Sequence, residues 1–197
     1  MIAIAATKNN GKLKELNRVM EAYDITLVSM KDMELPVEIV EDGETFEENA
    51  LIKARTLYKI TGKPVIADDS GLCVNCLGGR PGVHTARYGG EDLDYDSKMK
   101  KLVEEIANQG TEDRSAYFAC VIVYIDKNGK EYVFYGRCDG EIGYTPKGKG
   151  GFGYDPIFIA KDGKTMAELS DEEKDEISHR GKALRLLAEA LPEIVKE

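Results

Sequence analysis

No stretch of this 197-residue sequence approaches the uninterrupted apolar length of a membrane span. Its first ten residues, MIAIAATKNN, are too short for a secretory leader and lack the cleavage pattern. A membrane role is therefore set aside and a cytoplasmic protein is expected. Positive charge is also in short supply, with 27 Lys and Arg against 36 Asp and Glu, a net charge of −9. That argues against a nucleic-acid polymer as the main partner. A small anionic ligand is still allowed, because it needs only a few local cations and a metal. Cysteine is sparse, and with no export signal Cys73, Cys76, Cys120 and Cys138 are expected as reduced thiols. Cys73 and Cys76 form a C-x-x-C, but no second pair accompanies them, so zinc or redox chemistry is not expected. Cys120 and Cys138 lie in strand-like sequence, where cysteine behaves as a small hydrophobe. Internal repeats, low-complexity segments and clear linkers are missing as well. The length predicts one domain over 1–197, or one domain with two lobes.

The hydrophobic patterning supplies the elements. Ile2 to Ala6 reads as a strand that runs into the polar turn TKNNGK. Leu13 to Met20 has helical spacing, and Ile25 to Val28 reads as a second strand. Thr45-Phe46-Glu47-Glu48 has the form of a capping box, which predicts a helix from Phe46 to Ile60 ended by Gly62. A strand over 64–67 follows, with Asp68 and Asp69 at its C-terminal end and Gly71 as a hinge. Tyr95 to Ala107 reads as a helix. Ser115 to Ile125 and Glu131 to Ile142 read as strands, joined by a hairpin turn at Asn128-Gly129. A basic glycine-rich loop covers Lys147 to Gly153, and a short strand Ile157 to Ile159. A second capping box, Ser170 with Glu173, precedes a charged helical stretch, and Ala183 to Val195 is an amphipathic helix. This order is α/β, with a mixed sheet because the hairpin forces antiparallel pairing.

Four constellations carry chemistry. The first is strand-TKNNGK-helix, in which backbone N–H groups and the helix dipole suit a phosphate. Thr7, Asn9 and Asn10 add hydrogen bonds there, and Lys8 and Lys12 add charge beside Gly11; the competing reading is an ordinary turn. It is not a Walker loop, since Ala6 and Leu13 stand where that motif needs Gly and Ser or Thr. The second is acidic: Glu41 and Asp42 in a loop, and Asp68 and Asp69 at a strand end. Adjacent carboxylates repel, and a divalent cation or a proton-transfer role offsets that cost. A capping Asp68 and a solvated Asp69 are the alternative. The third is GKGGFGYDP, where Phe152 and Tyr154 offer flat faces to a base and Asp155 an acceptor, unless both aromatics belong to the core. The fourth is residues 172–183. On one continuous helix Lys174 and His179 point about 140° apart. A break with Ser178 as a cap lets Lys174, His179 and Arg180 converge on one ligand.

The TKNNGK, EDGETFEENALIKA, ADDSGLCVNCLGGRPGVHTARY, GGFGYDPIF and LSDEEKDEISHRGKAL stretches occur in one order along the whole chain. With them the sequence resembles the inosine triphosphate pyrophosphatase family. The resemblance implies hydrolysis of non-standard purine nucleoside triphosphates (ITP, dITP and XTP) to the monophosphate and pyrophosphate. It implies magnesium, a homodimer, and an elongated, twisted mixed sheet flanked by helices, in two lobes with a central nucleotide-binding cleft. By the same resemblance Thr7 to Lys12 bind phosphate, and Glu41 and Asp69 hold the metal. Asp69 is the proton acceptor, although the sequence alone does not separate it from Asp68. Lys53 lies near the phosphates and Ser70 contacts substrate. Phe152, Gly153, Tyr154, Asp155, Lys174, His179 and Arg180 contact nucleotide and base. The rival functions are a related pyrophosphatase acting on modified or pyrimidine nucleotides, and a nucleotide-binding protein without turnover.

Overall fold

In a computed structural model describing residues 1–33 and 38–196, strands and helices alternate as far as the third helix, and four strands and two helices follow. They are β1 (Ile2–Ala5), α1 (Asn10–Glu21), β2 (Thr26–Ser29), α2 (Phe46–Thr61), β3 (Val65–Val74), α3 (Tyr95–Ala107), β4 (Ser115–Ile125), β5 (Glu131–Ile142), β6 (Phe158–Lys161), β7 (Lys164–Thr165), α4 (Asp171–Ile177) and α5 (His179–Ile194). The described strands form one sheet in the order β2-β1-β3-β4-β5-β6-β7. β1 pairs in parallel with β2 and with β3, whereas β5 with β6 and β6 with β7 are antiparallel. The sheet is therefore mixed and the class α/β, as the patterning predicts.

The chain divides into two compact units. The first comprises Met1–Asp69, Cys120–Gly136 and Arg180–Glu197. Its strands alternate between two cores, because successive side chains on a strand point to opposite faces. Ala3, Ala5, Ile66, Cys120, Ile122 and Tyr124 pack with Leu16 and Met20 of α1 and with Leu184, Leu187 and Leu191 of α5. Ile4, Val65, Ala67, Val121, Val123 and Ile125 pack on the other face with Ala50, Ala54 and Leu57 of α2. Helices thus cover both faces, which is why these strands read as continuous apolar runs.

The second unit comprises Ser70–Ala119 and Arg137–His179. Its core joins Leu72 and Val74 of β3, Met99, Leu102 and Ile106 of α3, Phe118 of β4, Ile142 of β5, and Phe158.

Local signals place most boundaries. At the start of α2 the Thr45 hydroxyl accepts from Glu48 N and the Glu48 carboxylate accepts from Thr45 N, both at 3.1 Å. Gly62, at φ 61°, ends that helix in a left-handed cap. Two local readings are corrected and one strand is added. β3 does not stop at residue 67 but runs ten residues through the aspartate pair, because Leu72 and Val74 supply further core contacts. The β4–β5 connection is wider than a two-residue turn at Asn128-Gly129. The Asp126 carboxylate accepts from Asn128 N at 2.8 Å and Lys130 N at 2.9 Å, and so organises residues 126–130. β7, which the patterning did not give, follows Asp162 and Gly163, both at positive φ (52° and 72°). That Asp-Gly pair is a hairpin signal.

Candidate active site

β1 ends at Ala5, and Ala6 N donates to Ile66 O of β3 at 2.8 Å. Asp68 and Asp69 therefore lie on β3 just past the carboxyl end of its parallel neighbour, where open α/β sheets place ligands. They are in mid-strand, and the two-residue period sends them to different faces. Asp68 follows Ile66 towards α1 and α5. Asp69 follows Ala67 towards α2.

The two carboxylates meet opposite circumstances. Asp68 is 1% exposed. One of its oxygens receives Lys12 Nζ at 3.0 Å and Arg180 Nε and Nη2 at 3.2 and 3.1 Å. Burial alone would push its pKa up, but Lys12, then Arg180 and Lys53, outweigh burial and hold it far below the ordinary carboxylate range. Asp69 is also buried, and its Oδ2 has no hydrogen-bond partner. Burial pushes its carboxyl up, against the pull of Lys53 and Lys12 and with help from Asp68 and Glu41.

The acidic loop reaches this place through α2. The buried Asn49 side chain accepts from Gly43 N at 2.9 Å, and Glu48 accepts from Glu44 N at 2.7 Å. Side chains are excluded at Gly43, where a Cβ would stand 2.7 Å from that of Glu48. Pinned in this way, the loop sets Glu41 Oε2 2.6 Å from Lys53 Nζ, which is also 3.4 Å from Asp69 Oδ1. Burial would lower the Lys53 pKa, but Asp69, Asp68 and Glu41 raise it above its ordinary value, so the ammonium stays charged. Among the described residues no three His, Cys, Asp or Glu side chains group to hold a metal. Two carboxylates near one orphaned oxygen are nevertheless the donor set magnesium takes from protein when phosphates and waters complete its shell. The residues fit that ion.

Lys53 is here the cation shared by Glu41 and Asp69. Replacing it, Lys53→Met, leaves two carboxylates uncompensated. The expected loss is about 2 kcal/mol in metal-free buffer, less than for a fully buried pair because Glu41 is 38% exposed. Saturating magnesium is expected to raise the melting temperature of the variant more than that of the wild type. Equal metal-free melting temperatures would contradict this.

At the strand-turn-helix, Asn9 caps α1, with Oδ1 accepting from Gly11 N at 2.9 Å and Lys12 N at 3.1 Å. The Thr7 hydroxyl accepts from Asn9 N at 3.1 Å. Two amides expected to face a phosphate are thus engaged by Asn9. Lys8 and Asn10 are exposed. A residue not singled out from the sequence joins this unit: Glu15, 5% exposed on α1, accepts from Arg180 Nη1. A buried glutamate beside Leu16 on the apolar stripe of a helix is the signal that could have found it.

In the second unit the charged stretch breaks as one of the two readings required. α4 ends at Ile177, Ser178 is extended (φ −66°, ψ 154°), and α5 starts at His179. Lys174 is 4% exposed and lies 2.8 Å from Asp155 Oδ2 and 4.7 Å from the centre of the Phe152 ring. Asp155 also accepts from Phe152 N at 2.8 Å. Only glycine fits at 151, because a Cβ there would stand 2.1 Å from Asp155 Oδ2. His179 stacks on Phe118, with ring centres 4.7 Å apart and planes within 12°. Phe152 is half-buried, as are Gly153 and Ser70. Tyr154 is corrected. It is 1% exposed, its hydroxyl donates to Thr85 O at 3.2 Å, and its ring meets Tyr95 edge-on. It belongs to the core and offers no face to a base. Arg180 does not join Lys174 and His179 as a donor of the same unit; it bonds Asp68 and Glu15 in the first.

The four cysteines are free thiols, and no helix among the described residues is long and apolar enough to cross a membrane. A family model described as the Ham1 family matches residues 3–190. The chain is similar to the dITP/XTP pyrophosphatase of Geobacter sulfurreducens, 47% identical over 189 residues that cover 95% of each chain. It is similar to the protein of the same name from Bacillus subtilis, 45% identical over 190 residues and 96% of each. Among solved structures it resembles a HAM1 protein from Coxiella burnetii, with TM-score 0.89 and 40% identity over 98% of this chain and 99% of that one. It also resembles the nucleoside-triphosphatase / dITP/XTP pyrophosphatase from Mycobacterium abscessus, with TM-score 0.75 and 43% identity over 95% and 97%. A model matching nearly the whole sequence, relatives of equal length and the same fold make this chain a member of the Ham1 family.

Proposed function

We propose that this chain hydrolyses the non-standard purine nucleoside triphosphates ITP, dITP and XTP to the monophosphate and pyrophosphate, by water attack at the α-phosphorus. The observation that carries the reading is the division of labour between two adjacent aspartates. Asp68 is neutralised by Lys12 and Arg180 and held far below the ordinary carboxylate range, whereas the Asp69 carboxyl is raised above it and its partner Lys53, 3.4 Å away, is shared with Glu41. Carboxylates whose environments push them apart take different roles. Asp69 is the one able to accept a proton from water; Asp68 positions cations.

Magnesium, held by Glu41 and Asp69, would supply compensation for phosphate charge. Lys12 and Lys53 face the triphosphate and offset the charge that develops on departing pyrophosphate. At the turn the side chains of Thr7, Lys8, Asn9 and Asn10 donate to phosphate oxygens, and Gly11, with no side chain, lets them approach. Ser70 contacts the substrate. Phe152, Gly153, Asp155, Lys174 and His179 recognise the nucleoside. Lys174 is held by Asp155 over the Phe152 ring, which fixes one donor beside one flat face. Inosine and xanthosine present a carbonyl oxygen at the 6-position, where adenine presents an amino group. A donor from His179 suits the first and is left unpaired by the second.

The compartment proposed is the cytoplasm, supported by the four free thiols. The assembly proposed is a homodimer, resting on the family resemblance and readable by light scattering.

The test is a substrate profile with magnesium. Turnover of inosine and xanthosine triphosphates far above ATP supports the reading. Preference for a pyrimidine or modified nucleotide would move it to a related pyrophosphatase, and binding without product would leave a nucleotide-binding protein.

A further inference from the structure

From the stacked pair Phe118–His179 we infer that Phe118 is a positioning residue for base recognition: its ring fixes the plane in which the His179 imidazole presents its nitrogens. The inference rests on the role proposed for His179. Phe118 lies on β4, is 6% exposed, and is itself wedged against Phe158, with ring centres 4.5 Å apart. It therefore has no freedom to follow its neighbour. His179 is the first residue of α5, immediately after the extended Ser178, so backbone helix geometry begins at this residue. Rotation about its terminal torsion is broad for an imidazole. A parallel aromatic face 4.7 Å away leaves that torsion a single plane. A hydrogen bond weakens steeply as its angle departs from linear, so an imidazole free to turn loses the discrimination that a fixed one provides.

Phe118→Leu keeps an apolar side chain in the core and removes the flat face. The expected result is a rise in KM for inosine triphosphate of roughly tenfold with kcat little changed, the scale of one mis-set hydrogen bond. The KM for ATP should stay put, so the ratio of the KM for ATP to that for inosine triphosphate falls about tenfold. A role in stability alone would lower the melting temperature and leave that ratio intact. His179→Ala closes the cycle. If Phe118 acts through His179, adding Phe118→Leu to His179→Ala changes KM no further.

Proton NMR reads the stack directly. The chain has two histidines, His84 and His179, and His179→Ala identifies the signals of the second. Its imidazole protons should be shifted upfield by the Phe118 ring current and return towards ordinary positions in Phe118→Leu. Unshifted signals in the wild type, or equal KM ratios in Phe118→Leu and wild type, would overturn the inference. Unchanged selectivity in His179→Ala would instead overturn the base-recognition role of His179 itself, and this inference with it.

Discussion

Asp69→Asn should lose at least a thousandfold in kcat while its stability stays within about 1 kcal/mol of the wild type. The first effect follows from removing the only one of the two aspartates fit to accept a proton. The second follows from its surroundings. Asp69 is buried, one oxygen has no hydrogen-bond partner, and its carboxyl is shifted upwards. Folding therefore disfavours its charged form, and the neutral isostere removes that penalty. Lys53 retains Glu41 as a partner at 2.6 Å. Steady-state kinetics and thermal melting on one preparation check both halves. Near-normal turnover would remove Asp69 from the chemistry.

Asp68→Asn should do the reverse at the level of the fold. Its carboxylate is fully buried and neutralises Lys12 and the 2%-exposed Arg180. Removing one partner of a buried ionic group leaves Lys12 without its buried counter-ion and Arg180 with Glu15 alone, at a cost of about 3–5 kcal/mol. For a chain of this size that is a fall of roughly 10 °C in melting temperature.

The pH dependence has a definite sign. The folded-state pKa of Asp68 is depressed, so its contribution is present above the unfolded value of 3.8 and is lost as pH falls through the folded one. The stability difference between wild type and Asp68→Asn should be constant from about pH 8 to pH 5 and shrink below about pH 4. Asp69, shifted the other way, opposes this: its protonation favours the folded state, and that gain is lost as pH rises above 3.8 through its raised pKa. Urea unfolding at a series of pH values distinguishes the two. A variant as stable as the wild type at pH 7 would show that Lys12 and Arg180 do not depend on Asp68.

What was legible in the sequence was local. The boxes at Thr45 with Glu48 and Ser170 with Glu173 are closed within four residues, and both stand where they were read. α3, β4 and β5 likewise keep their predicted bounds. The misplaced features depend on partners far along the chain. Two adjacent aspartates look like the end of a strand until Arg180, 112 residues away, neutralises one of them. Tyr154 looks like a stacking platform until Thr85, 69 residues away, accepts its hydroxyl inside a core. Glu15 carries no motif, and its meaning comes from Arg180, 165 residues later. The break at Ser178 is one of the two arrangements that residues 172–183 allow. Its capping chemistry was visible, but which helix arrangement wins is decided by the packing of α5 against the first unit's core.

Attack by water at the α-phosphorus leaves the new oxygen on the monophosphate. Inosine triphosphate would be hydrolysed with magnesium in water enriched in oxygen-18, and the products examined by phosphorus NMR. The label should appear on inosine monophosphate, as a small upfield displacement of its phosphorus signal, beside unlabelled pyrophosphate. Label in pyrophosphate would place the attack on the β-phosphorus, and labelled orthophosphate would place it on the γ-phosphorus; either result contradicts the mechanism.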